Sequence, residues 1–285
     1  MKAPRRIEIP SFPKSKRLAV TTSFDDGHTH DRRIVEAFNE WGLRGTFNLN
    51  SGLLRREGTH SPDGARSYLD ASEVADLYRG HEVAIHSATH PHLPRLDASQ
   101  IALEVLEDRK ALEDLVGYPV RGMAYPYGTY DQRTIDLLRS LGIVYCRTCE
   151  NAEPCFPPKD NLTWPTTAHQ YATEPSVPER FQHLYDNSRR GGVFFIWGHG
   201  FEFHDRNDWE ALERIYRPLS GKPDVWYCTN IELFDYEDAR KRLVIAANRQ
   251  TAFNPSGLAV TILVDGVVME IPPGATRSLI SSENT

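Results

Sequence analysis

Apolar, β-rich runs alternate with stretches of helical period along most of the chain. Leu18 to Phe24 and Thr46 to Leu49 read as strands. Between them Ile34, Val35, Phe38 and Trp41 recur on one helical face, which predicts a helix over 31–41. The alternation continues with a helical stretch from Tyr68 to Tyr78, a strand from Val83 to Ile85 and the longest helix over 98–116. A strand over 120–125, a helix over 131–141, a strand over 143–147 and a helix over 177–190 come next. The run Val193 to Trp197, a helical stretch from Trp209 to Tyr216, a strand from Val225 to Cys228 and a helix from Ile231 to Ala247 close the series. Residues 55–67 are polar and read as a loop. So do residues 150–175, where prolines interrupt any period.

Strands alternating with helices imply βα units and a mainly parallel sheet. The number of units suits an α/β fold of the (β/α) barrel type, with distortion. Beyond residue 250 the pattern changes. Two β-rich runs, Leu258 to Val264 and Val267 to Ile271, flank Asp265-Gly266, a dipeptide that favours a tight hairpin. The expected organisation is an extended lead-in over 1–17, a barrel over 18–248 and a small β appendage over 249–285. The appendage is expected to pack on the barrel, extend its groove or join a second copy of the chain.

With 285 residues the chain is long enough to bury a sizeable core without disulfides. A net charge of −6 and the lack of a basic run argue against nucleic acid and anionic membranes as partners. No apolar stretch follows the basic start, and no run approaches a membrane span, so a cytoplasmic location is expected. Cys146 and Cys149 form an isolated CxxC pair, with Cys155 and Cys228 elsewhere. The pair is expected to hold no metal, with Cys146 packing as a small buried residue.

In parallel βα architectures the reactive groups gather at the carboxyl ends of strands. Four such ends carry chemistry. The first strand leads into Asp25-Asp26-Gly27. Two adjacent carboxylates there can cap the following helix, or divide cation binding and proton acceptance between them. The third leads into His86-Ser87-Ala88-Thr89-His90, two histidines that meet one metal if the segment turns helically. Asp26, His86 and His90 would then leave an open position, as catalytic zinc sites do. His28, His30, His81 and His92 are taken as surface or supporting residues. A third end, Tyr125-Pro126-Tyr127-Gly128, reads as a turn or as a groove wall where Gly128 admits a ligand. The fourth places His199 between two glycines after an apolar run, where its titration suits a general acid.

In this order the four segments resemble the NodB-type polysaccharide deacetylases, carbohydrate esterase family 4. Ser23-Phe24-Asp25-Asp26-Gly27 is similar to the family's Thr-Phe-Asp-Asp-Gly, and His86 to His90 to its His-Ser/Thr-x-x-His. Ala124-Tyr125-Pro126-Tyr127-Gly128 matches its Arg-Pro-Pro-Tyr-Gly in part, and Phe195 to His199 resembles its late histidine motif. The resemblance spans roughly residues 18–246 and implies a distorted (β/α) barrel with a divalent metal, commonly zinc. It implies Asp26, His86 and His90 as metal ligands and Asp25 as the base that activates water. It further implies the Tyr127 backbone N–H as an oxyanion donor and His199 as the acid.

Three departures stand out. The family's arginine falls on Ala124, Trp164 is the sole counterpart of a tryptophan motif, and His28 stands where proline is common. The expectation is a metal-dependent hydrolase that removes acetyl groups from an N-acetylated saccharide, or less readily an O-acetylated one. Hydrolysis of a small cyclic amide or ureide, and sugar binding without catalysis, are the alternatives. Tyr125, Tyr127, Trp164 and Phe201 are expected to face the sugar, with Tyr130 and Phe203 nearby. Arg147, at the end of the strand after Ala124, is expected to replace the missing arginine and hold Asp25. Arg121 is expected at the opposite end of the barrel.

Overall fold

Every residue of the Leu18–Asp26 strand except its last is buried. The strand is covered on both faces, because alternate side chains face a barrel interior and a ring of helices. Leu18, Val20 and Phe24 point under the helices, where Phe24 packs against Phe38, Phe47 and Tyr216. Thr21, Ser23 and Asp25 alternate with them and meet polar partners, Asn230 at the start of the Asn230–Lys241 helix and Asn48 and Arg147 on other strands. The computed structural model describes residues 6–55, 67–153, 156–188 and 192–280.

Within these residues the chain runs β1 (Ile7–Glu8), β2 (Leu18–Asp26), α1 (Asp31–Trp41), β3 (Thr46–Leu49), α2 (Val74–Leu77), β4 (Glu82–Ile85), α3 (Ala98–Val116) and β5 (Gly122–Ala124). Next come α4 (Gln132–Ser140), β6 (Tyr145–Asn151), β7 (Trp164–Thr166), β8 (Ala168–His169), α5 (Val177–Asn187), β9 (Val193–His199), α6 (Phe201–Asp205), α7 (Glu210–Tyr216), β10 (Val225–Tyr227) and α8 (Asn230–Lys241). Short strands follow: β11 (Val244–Ile245), β12 (Thr251–Phe253), β13 (Val260–Val264), β14 (Val267–Ile271) and β15 (Thr276–Ser278). No helix among the described residues is long and apolar enough to cross a membrane.

The strands from β2 to β10 form one all-parallel sheet in the order β7-β6-β5-β4-β3-β2-β9-β8, with β10 on the first half of β2. The sheet closes because β7 and β8 are consecutive. Trp164 pairs with Arg147 on one side, and Ala168 pairs with Ile196 on the other. Thr167, between the two, donates its N–H to Phe195 and accepts the Phe195 N–H on its hydroxyl. This is the expected distorted (β/α) barrel. The closing ribbon lies within the 150–175 segment that reads as a loop, because five ladder residues split by Thr167 and holding Pro165 are too few to show a period. Residues 56–66 of the other expected loop lie outside the described residues.

Other elements differ from their sequence patterns for local reasons. The Tyr68 to Tyr78 stretch shrinks to Val74–Leu77. Before it, Asp70 caps a 3-10 turn by accepting the Ser72 N–H, and Tyr68 bridges His28 instead. The last helix ends at Lys241, and Val244–Ile245 pairs with β12. Both β2 and β9 run two residues past their apolar runs, since Asp25 pairs with His199 and Asp26 with Leu49 as ladder partners.

The expected hairpin forms over β13 and β14, with both Asp265 and Gly266 at positive φ. The lead-in joins it: Ile7 pairs with Val264. Ala252, Val260, Ile262, Ile271 and Leu279 pack with Ala239 of α8, so this β layer sits on the last helix.

The interior is layered. Phe12, Phe234, Tyr145, Trp164 and Phe195 fill the part that carries Glu82, whose carboxylate accepts from Tyr145, Thr46 and the Ile231 N–H. Tyr145 leaves no room beside β5: a Cβ on Gly122 would come within 2.2 Å of its ring. Gly122→Ala should therefore lower the unfolding free energy by roughly 1–3 kcal/mol through overpacking. Urea unfolding measures this, and an unchanged midpoint would show that the ring can yield.

Candidate active site at the strand ends

The first carboxylate of the pair, Asp25, is buried inside the barrel mouth. Its Oδ1 accepts from Arg147 Nη2 at 2.5 Å and from Asn48 Nδ2 at 2.9 Å, and its Oδ2 also accepts from Arg147. Arg147 arrives there because it is the ladder partner of Ala124 on the adjacent strand. The guanidinium thus reaches the mouth at the height of the missing family arginine. It also lies 4.7 Å from the Trp197 ring centroid, a cation–π contact that helps seat a charge with no exposure. Burial disfavours the Asp25 carboxylate. The Arg147 charge, with smaller help from His86 and His199, overrides this and holds its pKa below the usual value. Arg121 instead pairs through both terminal nitrogens with Asp235 of α8.

Asp26 turns the other way. Its φ of 79° swings the chain out of the strand into Gly27. Asp26 Oδ1 lies 3.7 Å from His86 Nε2 and 3.6 Å from His90 Nε2. One ligand atom from each residue falls within 4.8 Å of the others, a spread that one ion can gather. The histidines meet without the helical turn that their spacing suggested. Ser87 and His90 both have positive φ, and the loop between them folds the second ring back onto the first.

His86 is prepared as a neutral donor. Its Nδ1 bonds the Ala124 carbonyl at 2.8 Å, which places the proton there and leaves the Nε2 lone pair facing Asp26. Burial pushes its pKa down to about 4, so the ring is uncharged near neutral pH. Its backbone N–H donates to Asp108, and Asn50 donates to the carbonyls of His86 and Ser87.

His199 ends β9 with Nε2 3.9 Å from Asp25 Oδ2, while Nδ1 lies 2.8 Å from Glu202 Oε1. Burial opposes its charge, but the Glu202 hydrogen bond and the carboxylates of Asp25 and Asp26 prevail, and its pKa is raised. Together His169, His199 and Glu202 form the second cluster of ligand-type side chains among the described residues. Neutral Asp31 limits the negative charge at the mouth. Burial lifts its pKa to about 8, and Tyr78 donates to it at 2.7 Å.

The aromatic candidates divide. Tyr127, 58% exposed and at φ 57°, lies 4.0 Å from the His92 ring and 4.4 Å from the His90 ring, and walls the mouth. Phe201 stands opposite, between His199 and His28, and His28 stacks on Tyr68.

Tyr125 and Trp164 are corrections. Tyr125 is buried and donates its hydroxyl to the Leu162 carbonyl. Trp164 is buried against Phe195, Tyr145 and Phe234. Both are core residues because the ribbon they flank closes the barrel. Phe203 is core as well, and Tyr130 bonds Glu150. Of the histidines expected at the surface or in supporting positions, His28, His30 and His81 are buried, and His28 Nε2 lies 3.8 Å from Asp26 Oδ2. Cys146 is buried, whereas Cys149 Sγ lies 3.4 Å from Arg147 Nη1.

Asn48, Asn50, Asp108, Asp31, Glu202, His169 and Gln170 escaped sequence reasoning. The asparagines carried a faint signal, as amide side chains in a short strand otherwise fit to be buried.

Removing one member of the Arg147–Asp25 pair strands a buried charge, which typically costs ~3–5 kcal/mol. Arg147→Met should lower stability by about that much. Asp25→Asn together with Arg147→Met should cost less than the sum of the single changes. A double-mutant cycle in urea that shows additivity would deny the coupling.

Residues 13–146 match the family model described as polysaccharide deacetylase. That segment holds the aspartate pair, His86, His90 and Tyr127, and stops just short of Arg147. Peptidoglycan-N-acetylglucosamine deacetylase PgdA of Listeria monocytogenes is 26% identical over 145 residues, 47% of this chain and 27% of that longer protein. A Mycobacterium smegmatis structure assigned to the polysaccharide deacetylases aligns with a TM-score of 0.56, covering 84% of this chain and 96% of that one at 19% identity. A family 4 carbohydrate esterase from Streptomyces lividans, in complex with acetate, covers 70% of this chain and 85% of that one at 20% identity, with a TM-score of 0.46. Over residues 13–146, just under half of its length, the chain matches the polysaccharide deacetylase family, and its fold is that of the NodB-type deacetylases.

Proposed function

We propose that this protein hydrolyses the acetamide of an N-acetylated saccharide, with a divalent metal, most simply zinc, held by Asp26, His86 and His90. One observation carries the reading. A buried carboxylate kept ionised by Arg147 stands between a neutral histidine and a histidine favoured in its charged form, beside three convergent ligand atoms. The donor set of two imidazoles and one carboxylate fits zinc, and the His86 Nδ1 bond to Ala124 leaves Nε2 ready to ligate. When bound, the metal supplies Lewis-acid polarisation of the acetyl carbonyl and of the attacking water.

The chain's own residues do the rest. Asp25 accepts a proton as the water oxygen bonds to the acetyl carbon. Arg147 and Asn48 fix that carboxylate in place, so its geometry needs no rearrangement during the step. The Tyr127 N–H is the candidate donor to the developing oxyanion, its backbone held at positive φ beside His90. As the carbon–nitrogen bond breaks, the His199 Nε2 proton passes to the sugar nitrogen, and acetate and a free amine leave. Glu202 keeps the His199 ring oriented through Nδ1. Tyr127 and Phe201, on opposite sides of the mouth, suit the faces of sugar rings. The name of the Listeria relative supports an N-acetylglucosamine unit as the acetyl carrier.

Acetate release from N-acetylglucosamine oligomers and peptidoglycan fragments tests this directly, with O-acetylated sugars as the comparison. Release from neither class by the zinc-loaded protein would overturn the reading. Asp25→Asn should keep the metal and lose ~10²–10⁴-fold in turnover, the usual contribution of a general base. Zinc analysis and acetate assay on the same sample separate the two effects.

A second prediction concerns pH. Because His199 must be protonated to act, activity falls as pH rises through its pKa. Glu202→Gln removes a stabiliser of the charged ring, so the alkaline limb should move to lower pH while the acid limb stays. An alkaline limb that does not move would detach Glu202 from His199.

A further inference from the structure

Glu202 has two further partners, both from the ribbon that closes the barrel. Its Oε1, which bonds His199, lies 3.1 Å from His169 Nε2, and its Oε2 accepts from Gln170 Nε2 at 3.0 Å. Gln170 Nε2 also donates to the His199 carbonyl at 2.9 Å, and its own oxygen accepts the Tyr216 hydroxyl at 3.1 Å. The Gln170 side chain lies so close to β9 that a Cβ on Gly198 would come within 2.2 Å of it.

The His169 tautomer follows from its neighbours. The Tyr171 backbone N–H donates to His169 Nδ1 at 3.3 Å. An imidazole nitrogen that accepts carries no proton, so the proton sits on Nε2 and points at Glu202. The Trp197 ring, edge-on at 4.7 Å, holds the imidazole in that plane. A neutral His169 gives Glu202 a hydrogen bond without cancelling its charge.

We propose that His169 and Gln170 are positioning residues: they fix the Glu202 carboxylate so that it orients His199 as the proton donor to the leaving nitrogen. The assignment rests on His199 acting as the general acid, as proposed above. Glu202 is the second residue of a helix of five residues, too short to immobilise a flexible side chain by itself. The three donors hold its two oxygens instead. Other titratable groups that face His199 are the carboxylates of Asp25 and Asp26 from β2 and, more remotely, the neutral Asp31 at the start of α1. None of these bonds His169, whose side chain reaches His199 through Glu202, whereas Gln170 acts both through Glu202 and directly on the His199 carbonyl.

The test uses the full-length, zinc-loaded protein. Imidazole ¹H–¹⁵N spectra of the wild type should show His169 as the Nε2–H tautomer across the active pH range. His169→Phe keeps a ring on Trp197 and removes the donor. It should lower the His199 titration midpoint and reduce kcat on an N-acetylated sugar by roughly 10-fold, one charge-assisted hydrogen bond's worth. KM should hold. So should hydrolysis of 4-nitrophenyl acetate, whose leaving group needs no proton. His169→Gln, which restores an N–H donor at that position, should recover most of the loss, and Gln170→Leu should repeat it.

An Nδ1–H tautomer at His169 would overturn the proposal. So would a His169→Phe variant with an unchanged His199 midpoint and an unchanged amide-to-ester ratio. If the wild type releases acetate from no sugar, the functional reading fails by itself, and the spectra still decide how His169, Glu202 and His199 are linked. If His169→Phe does not fold, the wild-type tautomer and the Gln170→Leu titration decide.

Discussion

The ion pair between Arg147 and Asp25 is the constraint around which the barrel mouth is organised. Both groups are withdrawn from water, and a buried pair is a poor source of net stability, since desolvation offsets most of the attraction. What the pair fixes is geometry and charge state. It places an ionised carboxylate at the end of β2, and from there the roles of the neighbours follow. Asp26, next in sequence, can turn outward to ligate only because Asp25 is already satisfied inward. His86 and His199 both come within 3.9 Å of Asp25 Oδ2, one from each side.

The pair also explains why a strand of little apolar character is essential. Arg147 is the ladder partner of Ala124 on one side and of Trp164 on the other. The ribbon that carries Trp164 closes the barrel, and Trp164 itself fills the interior against Phe195. Closure, core packing and the seating of the guanidinium therefore share one strip of structure. The same ribbon then brings His169 and Gln170 to Glu202. The barrel's last seam thus supplies both the support of the proposed base, through Arg147, and the support of the proposed acid, through Glu202.

Much of this was legible in the chain. The amphipathic faces of α1 and α3 and the Asp-Gly hairpin are local patterns, and they form where hydrophobic period and turn chemistry place them. The strand-end motifs named Asp26, His86 and His90, whose ligand-type atoms converge, and one strand's offset from Ala124 was enough to single out Arg147. What escaped was non-local. The β7–β8 ribbon has no period because it is only five ladder residues long with a turn inside it, and its strand character comes from two neighbours far away in sequence. Reading that segment as a loop made Trp164 look like a groove residue, when it is core. Tyr125 misled for a similar reason: it follows a strand end, but its hydroxyl reaches inward to Leu162. Glu202 and His169 are 33 positions apart, and no spacing rule joins them.

The two histidines beside Asp25 show how environment assigns chemistry to identical side chains. His86 is fully enclosed, and its second nitrogen meets a carbonyl, a neutral acceptor that favours a positive ring far less than a carboxylate does. Burial therefore wins and the ring stays neutral. His199 is only partly buried, its side chain 21% exposed against 1% for His86, and its second nitrogen meets a carboxylate, so the charged ring is favoured. Exchanging these partners would exchange the roles, since a neutral imidazole can ligate but not protonate, and a charged one can protonate but not ligate. The difference lies in one acceptor on each ring: Ala124 O, fixed by strand pairing, and Glu202 Oε1, fixed by side chains from another strand. A backbone acceptor cannot be lost by substitution at its own position, whereas a side-chain acceptor can. The ligand role proposed for His86 is thus built into the sheet, and the acid role proposed for His199 depends on residues that a single substitution can remove.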